Sequence, residues 1–282
     1  MHSMGNYDII NRESVVYKYF TPLVMGVVNF TPDSFYEGSR CSSIDLVLDK
    51  IGNMLDAGAD IIDVGACSTR PGSVLVSEEE EAARLFSMLG SVRRKFPDAR
   101  LSVDTFRADV AFRAVSDFGV DIINDVSAFE TDEKMLEVLS SLNVPYVLMH
   151  NAETSHISDM SVFFKDILSF FEEKLEVLKT HGVNHVILDP GYGFGKSMEQ
   201  NYYLLAHQSV LRKFGCPILT GVSRKRMVWQ TLGCTPDDAL NGTTVLNVLA
   251  LQQDASILRV HDVKEAKEAV RLCEMYGKFS SD

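Results

Sequence analysis

Eight short apolar runs recur along the chain, and stretches with helical periodicity separate them. The runs span residues 23–29, 60–66, 100–104, 121–125, 146–150, 186–190, 216–221 and 256–261. Apolar runs of this length between amphipathic helices, such as those expected at 44–58 and 164–182, indicate repeated β–α units on a parallel sheet. Eight such units are the number that closes a barrel, so the sequence predicts an α/β fold, a single (β/α)8 or TIM barrel.

The length of the chain leaves room for one domain of this kind. The chain has 282 residues, whereas a (β/α)8 barrel typically needs about 250. We therefore expect one barrel domain over residues 21–282 and a short N-terminal extension over residues 1–20. Within that extension we expect residues 7–19 to form a hairpin across the bottom of the barrel, and we set residues 1–4 aside as a vector-derived start.

Composition and charge exclude several classes of function. The chain is 46% hydrophobic and 23% charged, with a formal net charge of −12 and no basic stripe, which argues against nucleic-acid binding. The five cysteines form no CxxC pair, so neither a disulfide framework nor a zinc site is expected. The sequence shows no signal peptide and no apolar span long enough for a membrane, and we expect a cytoplasmic protein.

Polar and charged side chains end nearly every apolar run. In a (β/α)8 barrel the carboxyl ends of the strands share one rim, and that rim carries the active site. The residues expected there are Asn29, Asp104, Asn124, Asp125, His150, Asp189, Arg259 and His261. Amide, carboxylate, imidazole and guanidinium groups on one rim favour a binding site for a small, polar, partly anionic ligand.

Three of these residues suit the edge of a flat heterocycle. The carboxylates of Asp104 and Asp189 can each accept two parallel N–H bonds, and the amide of Asn124 offers both a donor and an acceptor. This combination matches a ring built like guanine. Phe194, in the glycine-rich segment that follows Asp189, is placed to pack on an aromatic ligand. The alternative is that the carboxylates only pair with neighbouring lysines.

A second group of residues is cationic. Residues 221–226 (Gly-Val-Ser-Arg-Lys-Arg) directly follow the seventh run, and Arg259 and His261 close the eighth. The loops after strands seven and eight of this fold commonly bind phosphate. Arg259 and His261 lie two residues apart, so both can face the same side of the rim. The sequence therefore predicts a phosphate or pyrophosphate site here.

Two further loops belong to the same rim. Asn29 ends the first run, and its side-chain carbonyl can bind a hard cation such as Mg²⁺, although a lone Asn more often fixes a turn. After the second run, glycines bracket Arg70, a pattern typical of a mobile loop that presents one cation to an anion. Beyond that loop, the acidic residues 78–81 follow Ser77, and we interpret them as a solvated helix start capped by Ser77 rather than as a metal site.

Taken together, the segments at these strand ends resemble the dihydropteroate synthase family, whose members are pterin-binding TIM barrels. The matching segments are 29–35 (NFTPDSF), 68–72 (STRPG), 102–105 (SVDT), 122–125 (IIND), 148–150 (LMH), 188–191 (LDPG), 223–225 (SRK) and 259–263 (RVHDV). They follow the family's order over nearly the whole chain. STRPG, SRK and RVHDV together are highly specific.

The resemblance implies an enzyme of folate biosynthesis that joins 4-aminobenzoate to 6-hydroxymethyl-7,8-dihydropterin diphosphate, with Mg²⁺ as cofactor. The residues implied to hold the pterin are Asp104, Asn124, Asp189 and Lys225. Those implied to hold the diphosphate are Asn29, Arg70, Arg259 and His261, with Asn29 also binding the metal. Those implied to frame the aminobenzoate are Thr69, Pro71, Phe194 and Lys225. The implied catalytic set is Arg70, Asp104, Lys225, Arg259 and His261.

The implied reaction separates charge. Breaking the carbon–oxygen bond to the diphosphate leaves a cation on the pterin methylene and a heavily charged leaving group, and the neutral arylamine then attacks. Cationic residues and Mg²⁺ would stabilise the leaving group, and Asp104 would offset the pterin cation, so we favour an SN1-like course. The resemblance also implies a homodimer formed through helices near the C-terminus, and a target of sulfonamides.

The chain departs from the family pattern in three places. Cys67 stands where Glu is common, Arg226 stands where many relatives have Ser, and residues 151–153 (Asn-Ala-Glu) replace a Met-Gln/Arg-Gly run. None of these changes removes a residue assigned to chemistry. Arg226 leaves the contact to the carboxylate of aminobenzoate open.

Two other functions fit parts of the pattern. A pterin-dependent methyltransferase also holds a pterin with strand-end Asp and Asn residues, but it releases no diphosphate and would not need STRPG or the pair Arg259 and His261. A non-catalytic pterin-binding relative would be expected to have lost Asn29 or Arg70, and both are present.

Overall fold

A computed structural model describes residues 21–30, 40–66 and 76–280 of the chain. Its strands are β1 (Leu23–Asn29), β2 (Ile61–Gly65), β3 (Leu101–Asp104), β4 (Ile122–Asp125), β5 (Tyr146–Met149), β6 (Val186–Asp189), β7 (Leu219–Thr220) and β8 (Ile257–Val260). Its helices are α1 (Arg40–Asp56), α2 (Glu78–Lys95), α3 (Ala108–Phe118), α4 (Met135–Leu142), α5 (Met160–Thr180), α6 (Met198–Ala206), α7 (Arg226–Leu232), α8 (Leu240–Gln252) and α9 (Val263–Gly277). A 3-10 helix at Gln208–Phe214 precedes β7.

The strands form one parallel sheet that closes on itself. Their order is β6-β5-β4-β3-β2-β1-β8-β7, and an isolated parallel bridge between Leu188 and Ile218 joins β6 to β7. The predicted (β/α)8 barrel is therefore confirmed. Strand β7 is shorter than the expected run 216–221, because Pro217 has no N–H to contribute to the ladder and only its carbonyl accepts, from Leu188 N at 2.9 Å.

Alternation of side chains along the strands divides the core in two. Outward-facing residues such as Val64 and Val103 pack beneath the helices in one large apolar cluster. Inward-facing residues near the amino ends of the strands form a separate plug: Leu23, Met25, Ile61, Ile122, Val147, Ile187, Leu219 and Ile257. This plug fills the bottom of the barrel, so any ligand must bind above it.

The next inward-facing layer is polar. Two residues beyond the plug, on the same face of four strands, come Asp63, Asn124, Asp189 and Arg259. The side chains of the first three are at least nine-tenths buried, at 0%, 3% and 7% exposure. Because every second residue of a strand faces inward, the strands that supply the plug also place these polar side chains inside the barrel near its carboxyl end. The barrel does not need polar residues at these positions in order to fold.

Helix α2 begins as predicted, but its acidic start is only partly solvated. The Ser77 hydroxyl accepts a hydrogen bond from Glu80 N at 3.2 Å, which confirms the cap. Glu81, however, is completely buried; its carboxylate accepts from Thr105 Oγ1 at 2.7 Å and pairs with Arg107. The expectation of a wholly solvated run was wrong at Glu81, because that position lies on the barrel-facing side of the helix.

Several predictions fall on residues outside the described part of the chain. These are the N-terminal extension with its hairpin at 7–19, residues 31–39, and residues 67–75 with Cys67, Thr69, Arg70 and Pro71. Among the described helices, none is both long and apolar enough to cross a membrane.

Candidate active site

Arg259 lies at the centre of the polar layer, between two carboxylates. Its Nε and Nη2 lie 2.8 and 2.6 Å from Oδ2 of Asp63, and its Nη2 also lies 3.0 Å from Oδ2 of Asp104. The three residues come from strands β8, β2 and β3, so the barrel geometry, not local sequence, brings them together. The prediction that Asp104 and Arg259 share one rim is confirmed. Arg259, which the sequence suggested as a phosphate ligand, is already paired with two carboxylates of the protein.

Two buried oxygens in this layer have no partner. Oδ1 of Asp63 and Oδ1 of Asp104 are both inaccessible and accept no hydrogen bond from the described residues. A buried acceptor without a donor costs about 1–3 kcal/mol, so both oxygens favour a ligand that supplies N–H or O–H groups. Desolvation raises the pKa of Asp104 to about 7, partly offset by Arg259 and reinforced by Asp63.

Asn124 presents its amide in a defined direction. Its Nδ2 donates to Oδ2 of Asp63 at 3.1 Å, so its Oδ1 points elsewhere and accepts nothing from the described residues. Asn124 and Asp104 are neighbours across the β3–β4 ladder. The layer therefore offers open oxygen acceptors from adjacent strands.

Asp189 and Lys225 form the opposite wall. Oδ1 of Asp189 accepts from Gly191 N at 2.8 Å, whereas Oδ2 accepts no hydrogen bond from the described residues. Desolvation raises the pKa of Asp189, and the nearby ammonium of Lys225 opposes that shift. Desolvation lowers the pKa of Lys225 to about 8, against the attraction of Asp189. Lys225 Nζ donates to the carbonyl of Tyr192 and lies 4.7 Å from the ring centroid of Phe194, a cation–π contact that fixes the half-buried ring beside the pocket.

The expected phosphate side contains fewer free cations than the sequence suggests. Arg224 forms a bidentate ion pair with Asp262, at 2.9 and 2.8 Å, which links the loop after β7 to the loop after β8. Its charge is therefore already paired within the protein. Ser223 Oγ accepts from His261 N at 3.1 Å and lies 3.0 Å from His261 Nδ1, so it sets the orientation of that ring. Desolvation and the positive charge of Arg259 lower the pKa of His261 to about 4, although the ring still borders solvent at the barrel mouth. We therefore expect His261 to act as an uncharged donor at neutral pH.

Asn29 lies at the exposed end of β1, where a metal-bearing ligand could reach it. Its Oδ1 lies 3.5 Å from the position a Cβ would take on Gly65, so the amide lies against the end of β2. Among the described residues, no three His, Cys, Asp or Glu side chains cluster as a metal site would require. Mg²⁺ commonly keeps several waters and binds through one or two protein oxygens plus substrate phosphates, which is the type of site that Asn29 could provide.

Two strand-end residues turn away from the pocket. Asp125 faces outward, where its carboxylate accepts from Ser127 N, Phe129 N and Tyr146 Oη at 2.7, 2.8 and 2.8 Å. His150 is also buried on the outer side, with its ring edge-on to Phe170 at 4.7 Å. The prediction that these two residues line the ligand rim was wrong. Successive residues of a strand point to opposite faces, and on these two strands the inward-facing residues are Asn124 and Met149, each directly before Asp125 or His150.

Two residues without an assigned role prove central to the local architecture. Asp63 joins Arg259 to Asn124, as described above. Lys196 is buried and donates from Nζ to His150 Nδ1, Gly191 O and Phe194 O, at 3.0, 2.9 and 3.0 Å, so it shapes the whole loop after β6. Desolvation lowers the pKa of Lys196 to about 7. A charged residue inside an apolar run was the available signal for Asp63; for Lys196 the sequence carries none.

The glycine-rich loop after β6 is held tightly against the end of β5. A Cβ on Gly191 would lie 2.0 Å from the carbonyl oxygen of His150, and Gly191 has a φ of +70°, so only glycine fits. This close approach places Asp189 and Phe194 on one rigid loop base. Sequence patterns alone placed both residues near the rim but could not show that Lys196 ties the carbonyls of Gly191 and Phe194 together in this loop.

Arg226 borders a separate groove beside the carboxylate cluster. The groove has a volume of about 860 Å³ and runs between the β6 loop and helix α7, past Gly193, Glu153 and Gln230. Arg226 is exposed and makes no hydrogen bond or ion pair with the described residues. Its guanidinium is therefore available near the wall that Phe194 and Lys225 form.

Comparison with known proteins identifies what this arrangement belongs to. The model of the family described as pterin binding enzyme matches residues 25–261. The dihydropteroate synthase of Clostridium beijerinckii is 39% identical over 255 residues, which cover 89% of this chain and 93% of that protein. A crystal structure of dihydropteroate synthase from Clostridium difficile in the presence of pteroic acid superposes with a TM-score of 0.85, at 36% identity, covering 91% of this chain and 97% of that one. The Xanthomonas albilineans enzyme with 4-aminobenzoic acid gives 0.83, at 35% identity, covering 90% and 93%. The chain thus belongs to the family of pterin-binding enzymes and, within it, to the dihydropteroate synthases, transferases of folate biosynthesis.

Proposed function

We propose that this enzyme condenses 4-aminobenzoate with 6-hydroxymethyl-7,8-dihydropterin diphosphate, giving 7,8-dihydropteroate and pyrophosphate. The observation that carries the proposal is a layer of buried carboxylates around Arg259 and Lys225, in which Oδ1 of Asp104 accepts no hydrogen bond from the described residues. A pterin ring presents several N–H donors along one edge, and a diphosphate supplies the anion that the neighbouring cations favour.

The pterin lies on the polar layer above the apolar plug. Asp189 accepts from the ring through its free Oδ2, Asp104 through its free Oδ1, and Asn124 through Oδ1. Lys225, as a donor, reaches acceptors on the other edge of the ring. Because these groups come from different strands of one barrel, their separation is fixed before the ligand arrives, which reduces the entropic cost of binding.

The diphosphate occupies the mouth around His261, Asn29 and the outer edge of Arg259, and the resemblance to the family adds Arg70 to this subsite. The bound Mg²⁺ would be held by the side-chain oxygen of Asn29 together with diphosphate oxygens, and it would supply positive charge that stabilises the leaving group. His261 donates a neutral N–H to the departing oxygen. Arg259 spans both subsites, since the same guanidinium contacts Asp104 and faces the mouth.

The reaction follows an SN1-like course. As the carbon–oxygen bond to the diphosphate breaks, positive charge develops on the pterin methylene and spreads into the ring, where the carboxylate of Asp104 offsets it. The arylamine nitrogen then attacks and loses its proton to solvent or to pyrophosphate. No strong protein base is required, because a neutral arylamine is already a nucleophile.

The aminobenzoate lies against Phe194, with the alkyl chain of Lys225 at its edge, and the resemblance to the family adds Thr69 and Pro71 to this subsite. Phe194 supports this role, because its half-buried ring is held in place by Lys225 and by the carbonyl contact of Lys196. Arg226 adds a free cation in the direction of the groove, suited to the aminobenzoate carboxylate. Sulfonamides, as arylamine analogues, would compete for the same wall.

The enzyme acts as a homodimer that buries one face of α9. Leu272, Met275 and Tyr276 are 70%, 54% and 68% exposed, and Phe279, just beyond the helix, is 76% exposed. Their spacing of i, i+3, i+4 and i+7 puts them on one stripe, which is the pattern of a helix that packs against a partner. Helix α8 lies next to α9 and adds the exposed Val245 and Leu249.

The decisive experiment is release of pyrophosphate from dihydropterin diphosphate upon addition of 4-aminobenzoate and Mg²⁺. Each substrate omitted in turn gives the blank. We expect release that requires both substrates and gives 7,8-dihydropteroate in equal amount. Turnover with a methyl donor instead, and none with dihydropterin diphosphate, would contradict the proposal in favour of pterin-dependent methyl transfer.

A further inference from the structure

Asp63 belongs to the polar layer with Asn124 and Arg259, but it is not among the residues proposed above to contact a ligand. We propose that Asp63 is a positioning residue: it fixes which atom of Asn124 faces the ligand, and it holds the guanidinium of Arg259 in place. The proposal rests on the proposed function, because it concerns how the pterin and diphosphate subsites are set up. It assigns a task to the only carboxylate in the described part of β2.

The orientation of Asn124 follows from the chemistry of its partner. An ionised carboxylate accepts hydrogen bonds and cannot donate them. Oδ2 of Asp63 lies 3.1 Å from the amide of Asn124, so the atom that faces Asp63 must be the nitrogen. The oxygen of Asn124 is then left for the ligand, and the site selects a donor at that position. With a neutral or donating group at position 63, the amide could turn over and offer its nitrogen instead.

The same oxygen of Asp63 fixes Arg259. It receives both Nε and Nη2, at 2.8 and 2.6 Å, which defines the plane of the guanidinium. Nη1 makes no hydrogen bond to the described residues and remains for a ligand. Asp104 contributes one further contact to Nη2 but none to Nε, so without Asp63 the guanidinium could rotate about its contact to Asp104.

A purely structural explanation does not account for these contacts. All hydrogen bonds of Asp63 come from Arg259 and Asn124, both on the ligand side of the plug, and its Oδ1 accepts none from the described residues. Asp60, at the other end of the same run, shows what a scaffold carboxylate looks like here. Its Oδ2 accepts from Val24 N at 2.7 Å and from Lys267 Nζ at 2.8 Å, on the bottom of the barrel.

A reciprocal exchange of the two side chains tests the proposal. Calorimetry would measure the binding of 6-hydroxymethylpterin and, separately, of pyrophosphate with Mg²⁺. The proteins are wild type, Asp63→Asn, Asn124→Asp and the double variant, with Asp60→Asn as the matched control. We expect each single change at 63 or 124 to weaken pterin binding about tenfold or more, which corresponds to about 1.4 kcal/mol. Asp60→Asn should leave pterin binding unchanged.

The double variant gives the discriminating result. An amide at 63 can donate to a carboxylate at 124, whose second oxygen again faces the ligand, so pterin affinity should recover most of the loss. Affinity for pyrophosphate should stay reduced, because Arg259 has lost the partner that fixes Nε. A general loss of structure would weaken both ligands in all variants and would not recover for one of them.

Three outcomes would overturn the positioning role. These are wild-type pterin affinity in Asp63→Asn, a double variant no better than Asn124→Asp, or parallel recovery of both ligands. If Asp63→Asn does not fold, the comparison of Asn124→Asp with the double variant still decides, since the two differ only at position 63. Failure of the wild-type protein to bind 6-hydroxymethylpterin would instead contradict the proposed function itself.

Discussion

The exchange Asp189→Asn should weaken pterin binding without destabilising the protein. In the unliganded site, Oδ1 of Asp189 is committed to Gly191 N at 2.8 Å, and Oδ2 is free for the ligand. An asparagine has only one acceptor. Because the Gly191 N–H is fixed by the tight loop after β6, the amide oxygen should remain there and the amide nitrogen should face the pterin donors.

The size of the effect follows from these two changes. One hydrogen bond to a charged group is lost, worth about 1.5–3 kcal/mol, and a buried donor meets another donor. Together they should cost about 2–4 kcal/mol, or roughly 30- to 1000-fold in Kd. Stability should behave differently, because desolvation already raises the pKa of the Asp189 carboxyl and an uncharged amide avoids that cost. The loss of attraction to Lys225 opposes this gain, so the thermal midpoint should change little.

Asp125→Asn provides a matched control, since both residues are buried aspartates at strand ends. Asp125 accepts three hydrogen bonds from the scaffold, and an amide cannot keep them all. We expect Asp125→Asn to lower the free energy of unfolding by about 1–3 kcal/mol while pterin affinity is retained. Calorimetry and thermal melts on both variants measure the two quantities. Unchanged pterin affinity in Asp189→Asn would refute the assignment of its carboxylate as the main anchor.

Three further predictions concern pH, assembly and order of binding. Because the pKa of Asp104 is raised from 3.8 to about 7, kcat/KM for the pterin substrate should fall as pH drops through about 7, and the residual activity of Asp104→Asn should lack this limb. The free energy of unfolding should change in the opposite direction to kcat/KM. The contribution of Asp104 to folding stability is full when the carboxyl is protonated in both states, below its ordinary pKa of 3.8, and is lost as pH rises through about 7. Leu272→Glu should convert the dimer to a monomer by sedimentation velocity; a wild-type monomer, or a dimer that tolerates the change, would contradict the proposed interface. Titration of 4-aminobenzoate should give much tighter binding when pyrophosphate and Mg²⁺ are present, and equal affinity with and without them would contradict ordered binding.

The barrel was predictable because its determinants are periodic. Apolar runs ending in polar residues alternate with stretches of helical periodicity, and this alternation specifies eight β–α units although the runs begin between 21 and 40 residues apart. The boundaries followed less closely where local chemistry intervened. Pro217 shortens β7, and the burial of Glu81 depends on Thr105 and Arg107, which follow β3 and are distant from Glu81 in the sequence.

The sequence predicted most of the residues that line the site, but not which of them contact one another. Each of Asp104, Asn124, Asp189 and Arg259 ends or nearly ends a run, and the resemblance to the family covered them. Asp63 went unassigned because it lies inside an apolar run, where only its charge stands out. The opposite error affected Asp125, which follows Asn124 directly. Neighbouring residues of a strand face opposite sides of the sheet. The sequence alone does not show which of the two faces the inside of the barrel until one inward-facing residue of that strand is known.

The polar layer lowers the folding stability of the unliganded barrel, because it buries polar groups that only a ligand can satisfy. The plug below it consists of interdigitated apolar side chains, and a second apolar layer would fill the upper barrel at lower cost. Instead the chain buries Asp63 and Asp104 with one oxygen of each unpartnered, and it raises the pKa of Asp104 far above the value in water. Among the described residues, Arg259 is the one cation that contacts both carboxylates. Such a layer is stabilised when a ligand brings donors to Asp104, Asn124 and Asp189. A pterin should therefore raise the thermal midpoint of the wild-type protein, and the gain should shrink in any variant that removes one of these acceptors.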